Sequence, residues 1–146
     1  MSFSSTLCAY IAGFLDADGS IYVRLKPNTT YRFGYQIAPY IVFFQSEKGR
    51  KQFEKIFIPT QLGYMRYRKD GICEYVVGKK ERILTLLTMV GPYLILKKEQ
   101  ARLLRLIIKK KEGIKNKNDF LKIAQIVEKF RNINYSKKMK KRILTP

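Results

Sequence analysis

The stretch Ser4-Ser5-Thr6-Leu7-Cys8-Ala9-Tyr10-Ile11-Ala12-Gly13-Phe14-Leu15-Asp16-Ala17-Asp18-Gly19-Ser20-Ile21-Tyr22-Val23-Arg24-Leu25-Lys26-Pro27-Asn28 holds two periodicities. Up to Leu15 the apolar residues recur at helical spacing, behind hydroxyl residues that cap helix N-termini. Ala9, Ala12, Gly13 and Asp16 fall at i, i+3, i+4 and i+7, so three small residues share a face with an acid. Asp16, Asp18 and Gly19 end the helix. From Ser20 to Asn28 the period drops to two: Ile21, Val23 and Leu25 alternate with Tyr22, Arg24, Lys26 and Asn28, the pattern of a half-buried strand. The two acids stand at an awkward place, because negative charge at a helix C-terminus opposes the macrodipole. They are either helix-terminating polar residues or metal ligands.

Outward from there the chain alternates regularly. Pro27 to Thr30 reads as a turn and Tyr31 to Phe44 as a second strand, with Gly34 and Pro39 marking a bulge or an edge position. Ser46 to Phe57 reads as a helix broken by Ile58-Pro59. Leu62 to Arg68 and Ile72 to Val77 make a second hairpin around Lys69-Asp70-Gly71. Glu81 to Val90 is a short helix closed by Gly91-Pro92, and Lys98 to Lys111 a longer one with Leu103, Leu106 and Ile107 on its apolar side. Asp119 to Phe130 is a last helix, followed by a loose basic tail from about 133. The order is αββαββα plus C-terminal helices, an α+β fold in one domain spanning 1–146, and it suggests a partial internal duplication.

Composition narrows the chemistry. The 146 residues carry 30 Lys plus Arg against 11 Asp plus Glu, a formal charge of +19, with 46% hydrophobic and 13% aromatic residues. A folded basic domain points to a polyanion, most often nucleic acid. With no His, histidine-dependent hydrolysis and histidine-ligated zinc are excluded. Cys8 and Cys73 are expected to be buried free thiols, as suits a reducing compartment. No apolar run reaches the roughly 18–20 residues of a membrane span, so no membrane partner is expected. The Met1–Leu7 start lacks the character of a signal peptide. Phosphate-binding glycine motifs are absent.

Tyr10-Ile11-Ala12-Gly13-Phe14-Leu15-Asp16-Ala17-Asp18-Gly19, running into Ser20-Ile21-Tyr22, closely resembles the motif that names the LAGLIDADG homing endonucleases. Further matches follow in family order: Gln45 ending the second strand, Leu62-Gly63-Tyr64 opening the second hairpin, and Gly91-Pro92-Tyr93-Leu94 with Leu96-Lys97-Lys98-Glu99-Gln100-Ala101. The resemblance covers about residues 7 to 130 and is similar to the single-motif, homodimeric branch encoded by organellar introns. It implies the LAGLIDADG fold with an antiparallel DNA-binding sheet, and an intracellular, organellar location.

The resemblance further implies a site. Asp18 supplies a carboxylate and Ala17 a main-chain carbonyl to Mg²⁺ (or Mn²⁺), with Ca²⁺ expected to bind without supporting cleavage. Two oxygens per subunit are too few for a protein cage, and Mg²⁺ ordinarily completes its shell with water and phosphate. Gln45 and Lys97 match two of the family's polar helpers. Arg50 is the choice for the third, with Lys48 and Lys51 as alternatives, because the segment from Ser46 to Lys51 is one residue longer than in the family. Read without the resemblance, Lys97 is a solvated charge beside Lys98.

Double-strand cleavage needs two such corners, so the small face Ala9/Ala12/Gly13 with Asp16 is assigned to a homodimer; packing inside one subunit is the alternative. Tyr22, Arg24, Lys26 and Asn28, Tyr31 and Gln36, and Tyr64, Arg66, Arg68 and Glu74 match strand positions facing the DNA major groove, which a two-stranded ribbon fits. Solvation alone is the alternative for such a face. Ala38 and Val42 stand where the family often has polar readers. Lys137, Lys138, Lys140 and Lys141 are expected to touch phosphates. A nine-residue strand spans about 30 Å at ~3.3 Å per residue, which matches roughly nine base pairs per subunit. The expected activity is site-specific double-strand cleavage of a long pseudo-palindrome, with RNA maturase or non-cutting DNA-binding protein as alternatives, and the chain's own intron RNA as a further partner.

Overall fold

The computed structural model describes residues 2–144, with side chains to Asn134. The order is α1 (Ser5–Asp18), β1 (Gly19–Pro27), β2 (Tyr35–Ser46), α2 (Arg50–Phe57), β3 (Tyr64–Tyr67), β4 (Ile72–Val77), α3 (Lys80–Val90), α4 (Lys98–Glu112) and α5 (Lys117–Leu144). This is the expected αββαββα order with two further helices. The strands form one antiparallel sheet in the order β1-β2-β4-β3. Among the described residues no helix is long and apolar enough to cross a membrane. The chain divides into two compact units, one of residues 1–21 with 40–101, the other of 22–39 with everything from Arg102 onward.

In the first unit α1 is set by its ends. Ser4 Oγ accepts from the Leu7 N–H at 3.1 Å, an N-cap bond that satisfies an orphan amide. At the other end the Gly19 N–H donates to the Leu15 carbonyl. A Cβ on Gly19 would lie 2.8 Å from Leu15 Cα and 2.9 Å from its carbonyl oxygen, so only glycine lets the chain turn directly into β1. The helix buries Cys8, Ile11, Ala12 and Leu15. It packs against α3 and the 3-10 turn Gly91–Tyr93 that follows.

Beneath α1 lies an aromatic cluster. Phe57 is its centre, with ring centroids 4.5 Å from Phe43, 4.8 Å from Phe53, 5.2 Å from Tyr75 and 5.4 Å from Phe14. Burying one such ring contributes about 1.5–3 kcal/mol. Tyr75 carries its hydroxyl into this apolar setting, and the group is satisfied: it accepts from the Gly63 N–H at 2.6 Å and lies 3.0 Å from Thr60 Oγ1. Cys8 and Cys73 are buried free thiols, as expected.

In the second unit β1 from Tyr22 onward and the start of β2 belong with α4 from Arg102 onward and with α5. Phe120 of α5 stacks on Phe33 at 5.5 Å and on Tyr35 at 6.3 Å, and Lys111 Nζ donates to the Ile37 carbonyl at 2.9 Å. Asp119, within the first turn of α5, accepts from the Lys115 N–H, and Asn116 accepts from the Asp119 N–H.

Three expectations are corrected. The second strand begins at Tyr35, not Tyr31, because residues 28–34 form a closed turn in which Gly34 takes φ +79°. Helix α2 begins at Arg50, after the 3-10 turn Glu47–Gly49. The last helix does not stop at Phe130 but continues to Leu144, across a segment without Gly or Pro. The side chains of Lys137, Lys138, Lys140 and Lys141 lie outside the described residues.

Candidate active site and nucleic-acid interface

The two acids at the end of α1 have different surroundings. Asp16 accepts two backbone bonds, from the Ile95 N–H at 2.8 Å and the Lys97 N–H at 3.0 Å. Lys97 Nζ returns to the Asp16 carbonyl at 2.8 Å. A carboxylate opposed to the macrodipole is thus offset by two amides and by an ammonium on one of the last helical carbonyls, where positive charge is favoured. The Asp18 side chain is exposed and makes no hydrogen bond or ion pair among the described residues. It is the odd acid of its type. Asp16, Asp70 (to Arg68 and the Ile72 N–H) and Asp119 are all hydrogen-bonded.

Among the described residues no group of three or more His, Cys, Asp or Glu side chains is arranged to hold a metal ion. The donors at this corner are therefore one free carboxylate and main-chain carbonyl oxygen, with Ala17 exposed beside Asp18. Hard oxygen donors in small number suit Mg²⁺, which keeps several waters and takes phosphate oxygens from a substrate. They do not suit zinc or copper, which take nitrogen and sulfur.

The sequence profile described as LAGLIDADG endonuclease matches residues 11–108. The chain belongs to the LAGLIDADG homing endonuclease family. It is 33% identical over 132 residues to DNA endonuclease I-CreI of Chlamydomonas reinhardtii, covering 90% of this chain and 80% of that protein. To DNA endonuclease I-CvuI of Chlorella vulgaris it is 33% identical over 121 residues, covering 83% and 75%. The crystal structure of I-CvuI in complex with its target in the presence of calcium superposes with a TM-score of 0.79 at 31% identity, over 88% of this chain and 82% of that one. An I-CvuI complex with the I-CreI target in the presence of magnesium, its DNA not cleaved, gives the same TM-score.

Within this LAGLIDADG chain the remaining site residues fall into distinct groups. Gln45, Cys73 and Tyr67 are cross-strand partners on β2, β4 and β3, so their side chains share one sheet face, the face that also carries Phe43 and Tyr75. Gln45 Oε1 accepts from the Ser46 N–H at 2.8 Å, and Gly49 packs close, since a Cβ there would lie 3.1 Å from Gln45 Cδ. Arg50 follows on α2, paired to Glu54 at 2.7 Å. Lys48 and Lys51 are exposed and have no such partner among the described residues. Burial, above all, raises the Cys73 thiol, which keeps it protonated and inert.

On the opposite sheet face Phe44, Glu74 and Arg66 form a row, one step from Val42, Val76 and Tyr64. Glu74 is buried and flanked by two arginines: Arg68 Nη1 donates to its Oε1 at 3.3 Å, and Arg66 Nε lies 3.8 Å from its Oε2. Arg68 also binds Asp70 across the turn at 2.5 Å. Arg66, with its side chain 65% exposed, is the arginine left open to a ligand, and Tyr64 stands exposed beside it.

In the second unit Arg24 lies over the Tyr22 ring at 5.5 Å, with Lys26 farther along the same strand. Gln36 is half-buried on β2. Three assignments change, at Tyr31, Asn28 and Ala12. Tyr31 is not on a strand but in the 28–34 turn. Asn28 follows the end of β1, and its Oδ1 accepts from the Thr30 N–H and hydroxyl, so this oxygen closes the turn. Ala38 and Val42, where apolar or absent contacts are expected, keep that reading, being buried at 6% and 2% exposure. Ala12 is fully buried in its own subunit; the open face of α1 carries Ala9, Tyr10, Gly13 and Ala17 instead. Asp16 lies at the end of that helix, engaged within the chain. Sequence reading missed the contacts of Arg50 with Glu54 and Tyr67; the i,i+4 spacing signalled Glu54, and no local pattern signalled Tyr67, which comes from β3.

Asp16→Ala should leave the Ile95 and Lys97 amides without their acceptor. Hydrogen bonds to a charged group contribute about 1.5–3 kcal/mol. Hydrogen exchange at those two amides should accelerate far more than at α1 amides near Ile11. Unchanged protection would show that the carboxylate does not hold this segment.

Proposed function

We propose that this chain is a site-specific homing endonuclease that acts as a homodimer and hydrolyses phosphodiester bonds in both strands of a long pseudo-palindromic DNA with the help of Mg²⁺. The observation that carries the reading is the division between the two acids: Asp16 is fully used inside the fold, while Asp18, two residues on, stands exposed and unpaired among the described residues. The endonuclease names of I-CreI and I-CvuI, and the I-CvuI structures on target DNA, support DNA as the substrate.

Asp18 and the Ala17 carbonyl would hold the cation. When bound, it supplies a more acidic water and neutralises charge on the scissile phosphate. The chain's own residues do the rest. Lys97, fixed by its amide and its ammonium to Asp16, holds positive charge at the α1 terminus toward which the phosphate must come. Gln45, anchored by its own Ser46 amide, offers a carboxamide NH₂ to orient water or a phosphate oxygen. With no His there is no side chain poised near neutral pH as general base, so proton removal falls to the solvent around Gln45 and Lys97. Tyr22, Arg24, Lys26 and Gln36 in one unit, and Tyr64 and Arg66 in the other, read base edges. Arg68 is held by Glu74 and Asp70, and the same Glu74 lies beside Arg66.

Asp18→Asn should retain DNA binding and lose plasmid cleavage in Mg²⁺; cleavage at the wild-type rate would remove Asp18 from the site. Wild-type protein that binds DNA or intron RNA without nicking a target plasmid in Mg²⁺ would favour a binding protein or maturase.

The dimer is tested at Gly13. A Cβ there meets nothing within 4 Å in the isolated chain. Gly13→Leu should therefore spare the fold and weaken self-association through overpacking at the partner. Sedimentation should show wild-type dimers and variant monomers. Wild-type monomers both free and on DNA would contradict the paired-site model.

A further inference from the structure

Where β2 passes into α2, three side chains from two elements close on one another. Arg50 Nε donates to Glu54 Oε1 at 2.7 Å, and the Tyr67 hydroxyl donates to the same oxygen at 2.7 Å. The Arg50 guanidinium carbon lies 4.2 Å from the centre of the Tyr67 ring. The guanidinium is thus fixed twice, along its Nε edge by a carboxylate and across its plane by an aromatic ring. An exposed i,i+4 ion pair is weak as a source of stability. Its geometric effect is larger, because a free arginine at a helix start samples many rotamers. Arginine has five N–H donors; Glu54 takes the Nε one and the Tyr67 hydroxyl oxygen also faces the guanidinium, which leaves Nη donors over. Tyr67 sits in the same cross-strand row as Gln45, two strands away through Cys73.

We infer that Glu54 and Tyr67 are positioning residues that hold the Arg50 guanidinium in one orientation, its Nη donors presented to a backbone phosphate oxygen of DNA at the edge of the sheet where β2 ends beside Gln45. The inference rests on the nuclease reading above. It selects Arg50 over Lys48 and Lys51 as the basic helper, since neither lysine is held in this way. The ionisation states agree with it. The Arg50 bond, then the Tyr67 bond, hold the Glu54 carboxyl below the usual carboxylate range, so it is a charged acceptor at neutral pH. Its bond to Glu54, then burial, raises the Tyr67 phenol, which stays a donor.

The test compares Arg50→Ala, Glu54→Ala, Glu54→Gln and Tyr67→Leu in the full chain. Readouts are single-turnover cleavage of saturating target DNA in Mg²⁺, metal-free DNA affinity, and the Arg50 Nε–H resonance by NMR. Arg50→Ala, Glu54→Ala and Tyr67→Leu should each slow cleavage about 10- to 100-fold, as misplacing a catalytic contact does. Affinity should stay within about threefold, which separates positioning from binding. Glu54→Gln keeps an acceptor oxygen and should recover most of the rate. The double variant Arg50→Ala/Glu54→Ala should be no slower than Arg50→Ala alone, because both act through one guanidinium. The wild-type Nε–H should be protected from exchange and lose that protection in Glu54→Ala.

Cleavage at the wild-type rate in Glu54→Ala and Tyr67→Leu, or in Arg50→Ala, overturns the inference while the nuclease reading stands. A wild-type protein with a protected Nε–H that nicks no DNA overturns both, and the NMR signal then shows that the fault lies in the nuclease reading.

Discussion

The corner at the end of α1 depends on one carboxylate. Asp16 accepts from two amides of the segment that leads into α4, and Lys97 of that segment returns its ammonium to the Asp16 carbonyl. Three hydrogen bonds join residues about eighty positions apart in the chain. Together they resolve an electrostatic conflict. Two acids at a helix C-terminus, opposed to the macrodipole, are tolerated because one is consumed by amides and the terminus carries an ammonium. Asp18 is then left with a carboxylate that nothing in the described chain uses. In a protein of charge +19, that carboxylate is the donor on which the proposed cation site rests.

The same economy of acids recurs on the sheet. Glu74 sits between Arg66 and Arg68 on one face, and Glu54 between Arg50 and Tyr67 on the other. In each case a single carboxylate orients arginine. Antiparallel pairing sorts the two sets without ambiguity, because directly opposed residues share a face. The row Gln45–Cys73–Tyr67 faces the aromatic core and α2, and the row Phe44–Glu74–Arg66 faces away from it. A one-residue slip in β4 would exchange the two sets. The hydroxyl of Tyr75, tied to Gly63, and the close approach of Gly63 to the Val76 carbonyl oppose such a slip.

Much of this was legible in the sequence. The period change at Asp18-Gly19, the Lys69-Asp70-Gly71 turn and the Gly91-Pro92 stop placed α1, β1, the second hairpin and α3 close to their observed bounds. What escaped did so for physical reasons. A face of small residues does not say which small residue points inward; Ala12 lies on the stripe of Cys8, Ile11 and Leu15, and that stripe is the core. Tyr31 read as strand because aromatic residues favour strands, whereas Gly34 at positive φ and the Asn28 side chain close a turn there. The role of Asp16 needed a partner far along the chain, which no local pattern reveals. The length of α5 was hidden by its charge, since a basic run resembles a solvated tail although Lys, Arg, Met and Leu are good helix formers.

In the proposed site Asp16 and Asp18 divide their labour, one holding the fold and the other a divalent cation. Anomalous scattering from Mn²⁺ in a crystal of this protein on its DNA target tests that division. A peak is expected in coordination contact with the Asp18 carboxylate, with Asp16 still bonded to the Ile95 and Lys97 amides. A peak on Asp16, or metal bound to the complex with none at Asp18, would contradict it.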